Sequence, residues 1–207
     1  MKLFTILALA ILHLAAAAPA DLVTRADHAN PPTINDKDFI SVAMDAHWYW
    51  RRIHCAQDLT WDHGLAQQAL EDAMVCGAKA EHKRGGSNLS AVSSHPASMQ
   101  EWLDRAREII HGWHEEEAKY PYSDPHYDGA WGHFSQVVWR STSRVGCAMA
   151  LCDNQISGKP NPWPTRMFCV YQSPGNYVND GQFKENVWPP ICPDPTKGEH
   201  AVARAAF

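Results

Sequence analysis

Six cysteines narrow what this chain can become more than any other feature: Cys55, Cys76, Cys147, Cys152, Cys169 and Cys192. In an oxidising compartment an even set implies three disulfides, whereas in a reducing one the same residues stay as thiols. The N-terminus indicates which compartment applies. Lys2 is followed by an apolar run from Leu3 to Ala18, broken by Thr5 and His13, and the run closes with Ala18-Pro19-Ala20. A basic start, an apolar middle and a small-residue exit make residues 1–20 a secretory signal. The run falls short of the roughly 20 apolar residues of a membrane anchor. The product is therefore expected to be secreted and extracellular, with its six cysteines paired. Cysteine arithmetic does not select the pairing. No two cysteines stand in C-x-x-C spacing, which argues against a thiolate zinc site.

The length of 207 residues suits one domain. Eighteen Lys+Arg against 23 Asp+Glu give a net charge of -5 with no basic stripe, so no nucleic-acid partner is expected. A 45% hydrophobic content excludes a largely disordered chain. Asp21 to Asn35 is polar, contains Pro31-Pro32, and reads as a flexible leader over 21–35. Phe39, Val42, Ala43, Ala46, Trp50 and Ile53 recur at helical spacing behind a cap at Asn35 or Asp36. Asp62 opens a second helix with Leu65, Ala69, Leu70, Ala73 and Cys76 on one face. Ser98 and Glu101 form a capping box for a third, whose apolar face is Trp102, Ala106, Ile109, Ile110 and Trp113. On that helix His111-x-x-His114-Glu115 lacks the order of a zinc-protease motif, and its side chains are expected to face solvent. Tyr120 to Gly132 reads as a loop, and Phe134 to Trp139 as a helix or turn. Val145, Cys147, Met149 and Leu151 alternate as a strand does, Met167–Gln172 forms a second, and 154–164 is a loop between them. Helices first and strands later indicate an α+β sandwich in a domain spanning 36–192, followed by a tail over 193–207.

Two stretches carry a family resemblance. Gly132-His133-Phe134-Ser135-Gln136-Val137-Val138-Trp139-Arg140-Ser141-Thr142 closely resembles the first signature of the CAP superfamily, which groups cysteine-rich secretory proteins, antigen 5 and pathogenesis-related class-one proteins. Phe168-Cys169-Val170-Tyr171-Gln172-Ser173-Pro174-Gly175-Asn176-Tyr177 resembles the second, departing from it at Val170 and Ser173. His47-Trp48-Tyr49-Trp50-Arg51 is similar to the family's H-N-x-x-R helix, with Trp48 in place of Asn. Gly86-Ser87-Asn88-Leu89 is similar to its G-E-N-L turn, with Ser87 in place of Glu. The resemblance implies a three-layer α-β-α sandwich of about four helices around a small antiparallel sheet. It also implies the pairs Cys76–Cys152 and Cys147–Cys169, which leaves Cys55–Cys192.

The same resemblance implies a central cleft holding His82, His133 and Glu116, with Ser87 in the fourth position where the family has a second carboxylate. Two neutral imidazoles can hold a divalent ion such as zinc or magnesium, and a carboxylate beside its water can act as base. With one carboxylate missing, weaker metal binding and no robust hydrolase are expected. Asn88-Leu89-Ser90 satisfies the N-glycosylation sequon, although Asn88 is also the family's turn asparagine. Tyr120, Tyr122 and Tyr127 fit the aromatic spacing of the loop found in sterol-exporting CAP proteins of yeasts, and such rings can cover an apolar ring system while their hydroxyls face water. Trp50 and Ile110 are candidate lining residues for a fatty-acid groove between the first and third helices. The leading expectation is a secreted binder of sterols or fatty acids, in host interaction or defence. The alternatives are a metal-dependent hydrolase or protease, and an antimicrobial or signalling module acting on a receptor or a membrane surface.

Overall fold

The computed structural model describes residues 29–197, so the signal segment, most of the leader and the end of the tail lie outside the described residues. Helix α1 spans Lys37–Ile53, and Asp36 caps it by accepting from the backbone N–H of Asp38 and Phe39. A two-residue strand β1 (Thr60–Trp61) leads into α2 (His63–Ala73), capped by Asp62. Cys76, expected on the face of this helix, lies beyond its end at a φ of 47°. The Gly86–Leu89 stretch, expected as a turn, begins strand β2 (Ser87–Val92). Helix α3 covers Met99–Glu115; Ser98 accepts from the N–H of Glu101, whose carboxylate accepts from Ala97 in return. A 3-10 turn follows over Glu116–Lys119, then the aromatic loop, then α4 over Gly132–Val138. Strands β3 (Arg144–Leu151) and β6 (Thr165–Gln172) flank a small hairpin of β4 (Gln155–Ile156) and β5 (Lys159–Pro160), and α5 (Gln182–Asn186) closes the order. The segment expected as plain loop therefore contains that hairpin.

The main sheet has the order β1-β3-β6-β2. It is mixed rather than wholly antiparallel, because β1 runs parallel to β3. Its two faces follow the period-2 geometry of strands. Val145, Cys147, Met149, Met167, Cys169 and Tyr171 point to a large core shared with α1, α3 and α4. Ala148, Ala150, Phe168 and Val170 point to a smaller core under Leu65, Ala69 and Ala73 of α2. Helices on both faces of one sheet make the three-layer α-β-α sandwich, with five α-helices among the described residues. The end of the leader is seated on this body, since Trp102 Nε1 donates to the Ala29 carbonyl at 2.9 Å and Ile34 packs on the smaller core.

The structure pairs Cys55 with Cys192, Cys76 with Cys152 and Cys147 with Cys169, at sequence separations of 137, 76 and 22 residues. Each bridge contributes about 2–4 kcal/mol by restricting the unfolded chain. The first ties the C-terminal segment to the end of α1. The second ties the end of α2 to the end of β3, and the third joins facing residues of β3 and β6.

Where α2 crosses β3 the backbones nearly touch. A Cβ added at Gly146 would sit 2.0 Å from the Ala66 nitrogen and 2.5 Å from the Asp62 carbonyl oxygen. Both obstacles are backbone, so neither can rotate away. Gly146→Ala is expected to destabilise the fold by about 3 kcal/mol or more, read as a lower denaturant midpoint; an unchanged midpoint would contradict this packing.

Candidate functional site

The two signature stretches meet in space. Gln136 of α4 accepts from the Gly175 N–H at 2.7 Å, Ser135 donates to Asn176 Oδ1 at 2.6 Å, and Asn176 Nδ2 donates to the Gly132 carbonyl at 2.8 Å. Glu116 reaches across from the 3-10 turn. Its Oε2 accepts from the backbone N–H of His133 and Phe134 at 3.0 and 3.2 Å, and its Oε1 lies 2.8 Å from His133 Nδ1. The carboxylate thus satisfies the first N–H groups of α4, which Trp131 at the cap position leaves without a side-chain acceptor.

His82 lies beside His133, with ring centroids 6.0 Å apart. Its Nδ1 is 3.0 Å from Ser87 Oγ, which itself donates to the Arg84 carbonyl. The serine hydrogen is therefore used, and His82 Nδ1 carries the hydrogen of that contact. Each imidazole keeps its Nε2 lone pair, one oriented by a carboxylate and the other by a hydroxyl. Burial, and then the neighbouring His133, lower the pKa of His82. Gly86 makes the turn into Ser87 at a φ of 68°, and a Cβ there would meet the Pro174 ring at 2.4 Å. The bend that presents Ser87 accordingly needs glycine.

His82, His133, Glu116 and Ser87 are near one another, but they do not close around one point. Among the described residues they are not a group whose ligand atoms all lie within 4.8 Å. His82 and Ser87 line a hollow of about 380 Å³ with Tyr127, Gln136 and Val178. His133 and Glu116 line an adjoining hollow of about 350 Å³ with Trp113 and Ile109. Glu116 orients His133 through Nδ1, and among the described residues the two imidazoles lie side by side without a third ligand gathered with them.

The three loop tyrosines are separated. Tyr120 is buried against Phe134 and Trp131, and its hydroxyl has no hydrogen-bond partner in the fold, instead of facing water. Tyr122 stacks edge-on to Tyr120 and donates to Glu117 at 2.7 Å. Only Tyr127 is exposed, at 48%, beside Phe183 and over Gly132. The expected platform of three rings does not form, because Phe134 and Trp131 draw Tyr120 into the core.

Asn88, expected as a possible glycan site, is 1% exposed. Its Nδ2 donates to the His133 carbonyl at 3.0 Å and to the Tyr171 hydroxyl at 3.4 Å. The relay continues inward: the Tyr171 hydroxyl lies 2.8 Å from His47 Nε2, and His47 Nδ1 lies 2.7 Å from the Ala43 carbonyl. Folded protein is expected to show no mass loss at Asn88 on endoglycosidase treatment, since a sugar on that nitrogen has no path to solvent.

The α1–α3 seam, where a fatty-acid groove was expected, is filled. Ile110 is fully buried, and Trp50 stacks on His114 with centroids 3.6 Å apart while donating to His111 Nδ1. His114 is thus buried rather than solvent-facing. Its Nε2 is 2.9 Å from Nε2 of His54, a residue sequence reasoning passed over, and 3.4 Å from Glu117 Oε2. The position i+4 from Ile110 was the available signal for His114. Nothing local marks His54.

Acid should weaken this fold. Burial holds the pKa of His47 at about 4 and that of His114 at about 3, and it lowers His54 as well. For His47 the stabilisation is fully present above 6.5. As the pH falls from 6.5 toward 4, the unfolded chain takes up a proton that the folded ring refuses, and His47 alone removes about 3 kcal/mol. The urea midpoint is expected to drop across that interval. A His47 ring that titrates near 6.5 by NMR in folded protein would contradict it.

Comparison with known proteins gives a consistent family. Residues 44–171 match the pattern of the CAP group, described as the cysteine-rich secretory protein family. Fruiting body protein SC7 of Schizophyllum commune is 36% identical over 169 residues, covering 79% of this chain and 77% of its own. Protein PRY2 of Saccharomyces cerevisiae is 31% identical over 73% of this chain, which spans only 42% of that relative's length. Among solved structures, hookworm platelet inhibitor superposes with a TM-score of 0.56 at 18% identity, covering 77% of this chain and 82% of that one, a likeness of fold alone.

Proposed function

Because the chain belongs to the cysteine-rich secretory protein (CAP) family, we propose that it works outside the cell as a carrier of small amphiphilic lipids, sterols or fatty acids. The observation behind this reading is the hollow beside His82. Ser87 and Gln136 line it as buried polar groups, while Tyr127 and Val178, 48% and 73% exposed, stand over it as apolar ones. At about 380 Å³ it falls in the size range of small-molecule sites. A hydroxyl or carboxylate head can bond to the imidazole and hydroxyl groups, and an apolar body can lie under Tyr127 and Val178.

A metal-dependent hydrolase on the same cleft has less behind it. Glu116 already makes three contacts with His133 and Phe134, which leaves little of its acceptor capacity for a water. Ser87 supplies no second base. Turnover abolished by His133→Ala would favour that reading instead.

Secreted protein is expected to bind labelled cholesterol or a long-chain fatty acid, and the pair Tyr127→Ala with Val178→Ser should weaken that binding about tenfold or more, from the lost burial of two apolar side chains. Both side chains are exposed, so the thermal midpoint should hold. Wild-type protein that binds neither lipid at micromolar concentrations would end this reading.

A further inference from the structure

A second cluster of metal-competent side chains packs against Phe134 of α4. We propose that His54, His114 and Glu117 form a binding site for one divalent transition-metal ion of the zinc class. Among the described residues they are the one group of three whose ligand atoms lie within 4.8 Å of one another. The separations are 2.9 Å between the two Nε2 atoms, 3.4 Å from His114 Nε2 to Glu117 Oε2, and 3.8 Å from His54 Nε2 to the same oxygen. Ligand atoms held at 2.0–2.1 Å around a tetrahedral zinc stand about 3.4 Å from one another. The triangle approximates one face of that tetrahedron, with its edges off by up to about 0.5 Å.

Each ligand is already oriented from behind. His54 Nδ1 lies 2.6 Å from the Trp188 carbonyl, a pure acceptor, so it carries the hydrogen and Nε2 keeps its lone pair. Glu117 receives the Tyr122 hydroxyl on Oε1 at 2.7 Å, which turns Oε2 toward the rings. His114 is clamped face to face by Trp50 at 3.6 Å. Such outer partners are what metal-ligating histidines and carboxylates usually have. In the metal-free protein one hydrogen bridges the two Nε2 atoms. A cation takes its place, and His114 moves its hydrogen to Nδ1.

The donor set selects the ion. Two imidazoles and one carboxylate suit zinc, cobalt or nickel and not the all-oxygen preference of magnesium or calcium. His114 and Glu117 also line a hollow of about 640 Å³ with Tyr120 and Tyr122, leaving the fourth position open to water or a small ligand. The three ligands come from the end of α1, the end of α3 and the turn after it, beside the Cys55–Cys192 bridge. An ion here would pin these ends together. The site is separate from the lipid hollow and does not depend on that reading.

Cobalt(II) titrated into untagged, disulfide-intact protein is expected to give the intense visible bands of tetrahedral cobalt at one equivalent, displaced by zinc. The bands should persist in the His82→Ala/His133→Ala double variant and in the Tyr127/Val178 variant. They should weaken about tenfold or more in Glu117→Gln and His114→Asn, and by a similar factor in Tyr122→Phe. Glu117→Gln keeps the side-chain shape at a partly exposed position, so it decides the matter even if His114→Asn folds poorly. Absence of the bands in wild type, their survival in Glu117→Gln, or their loss in the His82/His133 variant would each overturn the proposal.

Discussion

The Arg51 guanidinium holds this architecture at its centre. It is fully buried, and it donates to four backbone carbonyls: Gln57, Val137, Trp139 and Thr142, at 2.8–2.9 Å. A charge taken out of water is tolerated only when its donors are satisfied. These carbonyls belong to the loop after α1, the end of α4 and the turn into β3, which one side chain thereby ties together. Burial lowers the Arg51 pKa to about 10, so it stays charged in ordinary conditions. Helix α4 is short and its start is capped from outside by Glu116. Arg51 ties its other end to α1, alongside the packing of Phe134 against His54.

From that anchor the site is built by polar contacts rather than by apolar packing. The relay from Asn88 through Tyr171 to His47 joins β2, β6 and α1 and supports the His133 carbonyl. Each member of a buried network of this kind depends on its neighbours, because leaving one partner unmet in low dielectric is costly. The His47 and Arg51 positions of the helix motif therefore do structural work, one turn apart on the buried side of α1.

Five of the histidines fall into three groups with different surroundings. His47 is a core hydrogen-bonding residue. His82 and His133 border the two hollows near the signature loops. His54 and His114 face each other in the α1–α3 seam, and burial keeps them neutral and able to act as bases or ligands. Ser87 brings no negative charge to the cleft, while Glu117 places a carboxylate against the second pair. Two imidazoles and a carboxylate thus gather within 4.8 Å in the seam, as the cleft residues do not.

Much of the fold was readable along the chain. Asp36, Asp62 and Ser98 mark helix starts through short-range hydrogen bonds, and the alternation of Val145, Cys147 and Met149 marks a strand whose two faces are buried differently. These signals are local, since the capping and pleating that produce them act within a few residues. The β2 strand was missed because Gly86 and Asn88 look like turn formers, and its extended state comes from pairing with β6. The burial of Tyr120, the closure of the α1–α3 seam by Trp50 and the meeting of His54 with His114 across 60 positions were decided only when the helices packed. A sequence specifies which side chains a helix offers on each face. Which faces come together depends on the whole core, and here that is fixed by the sheet, three disulfides and the buried guanidinium of Arg51.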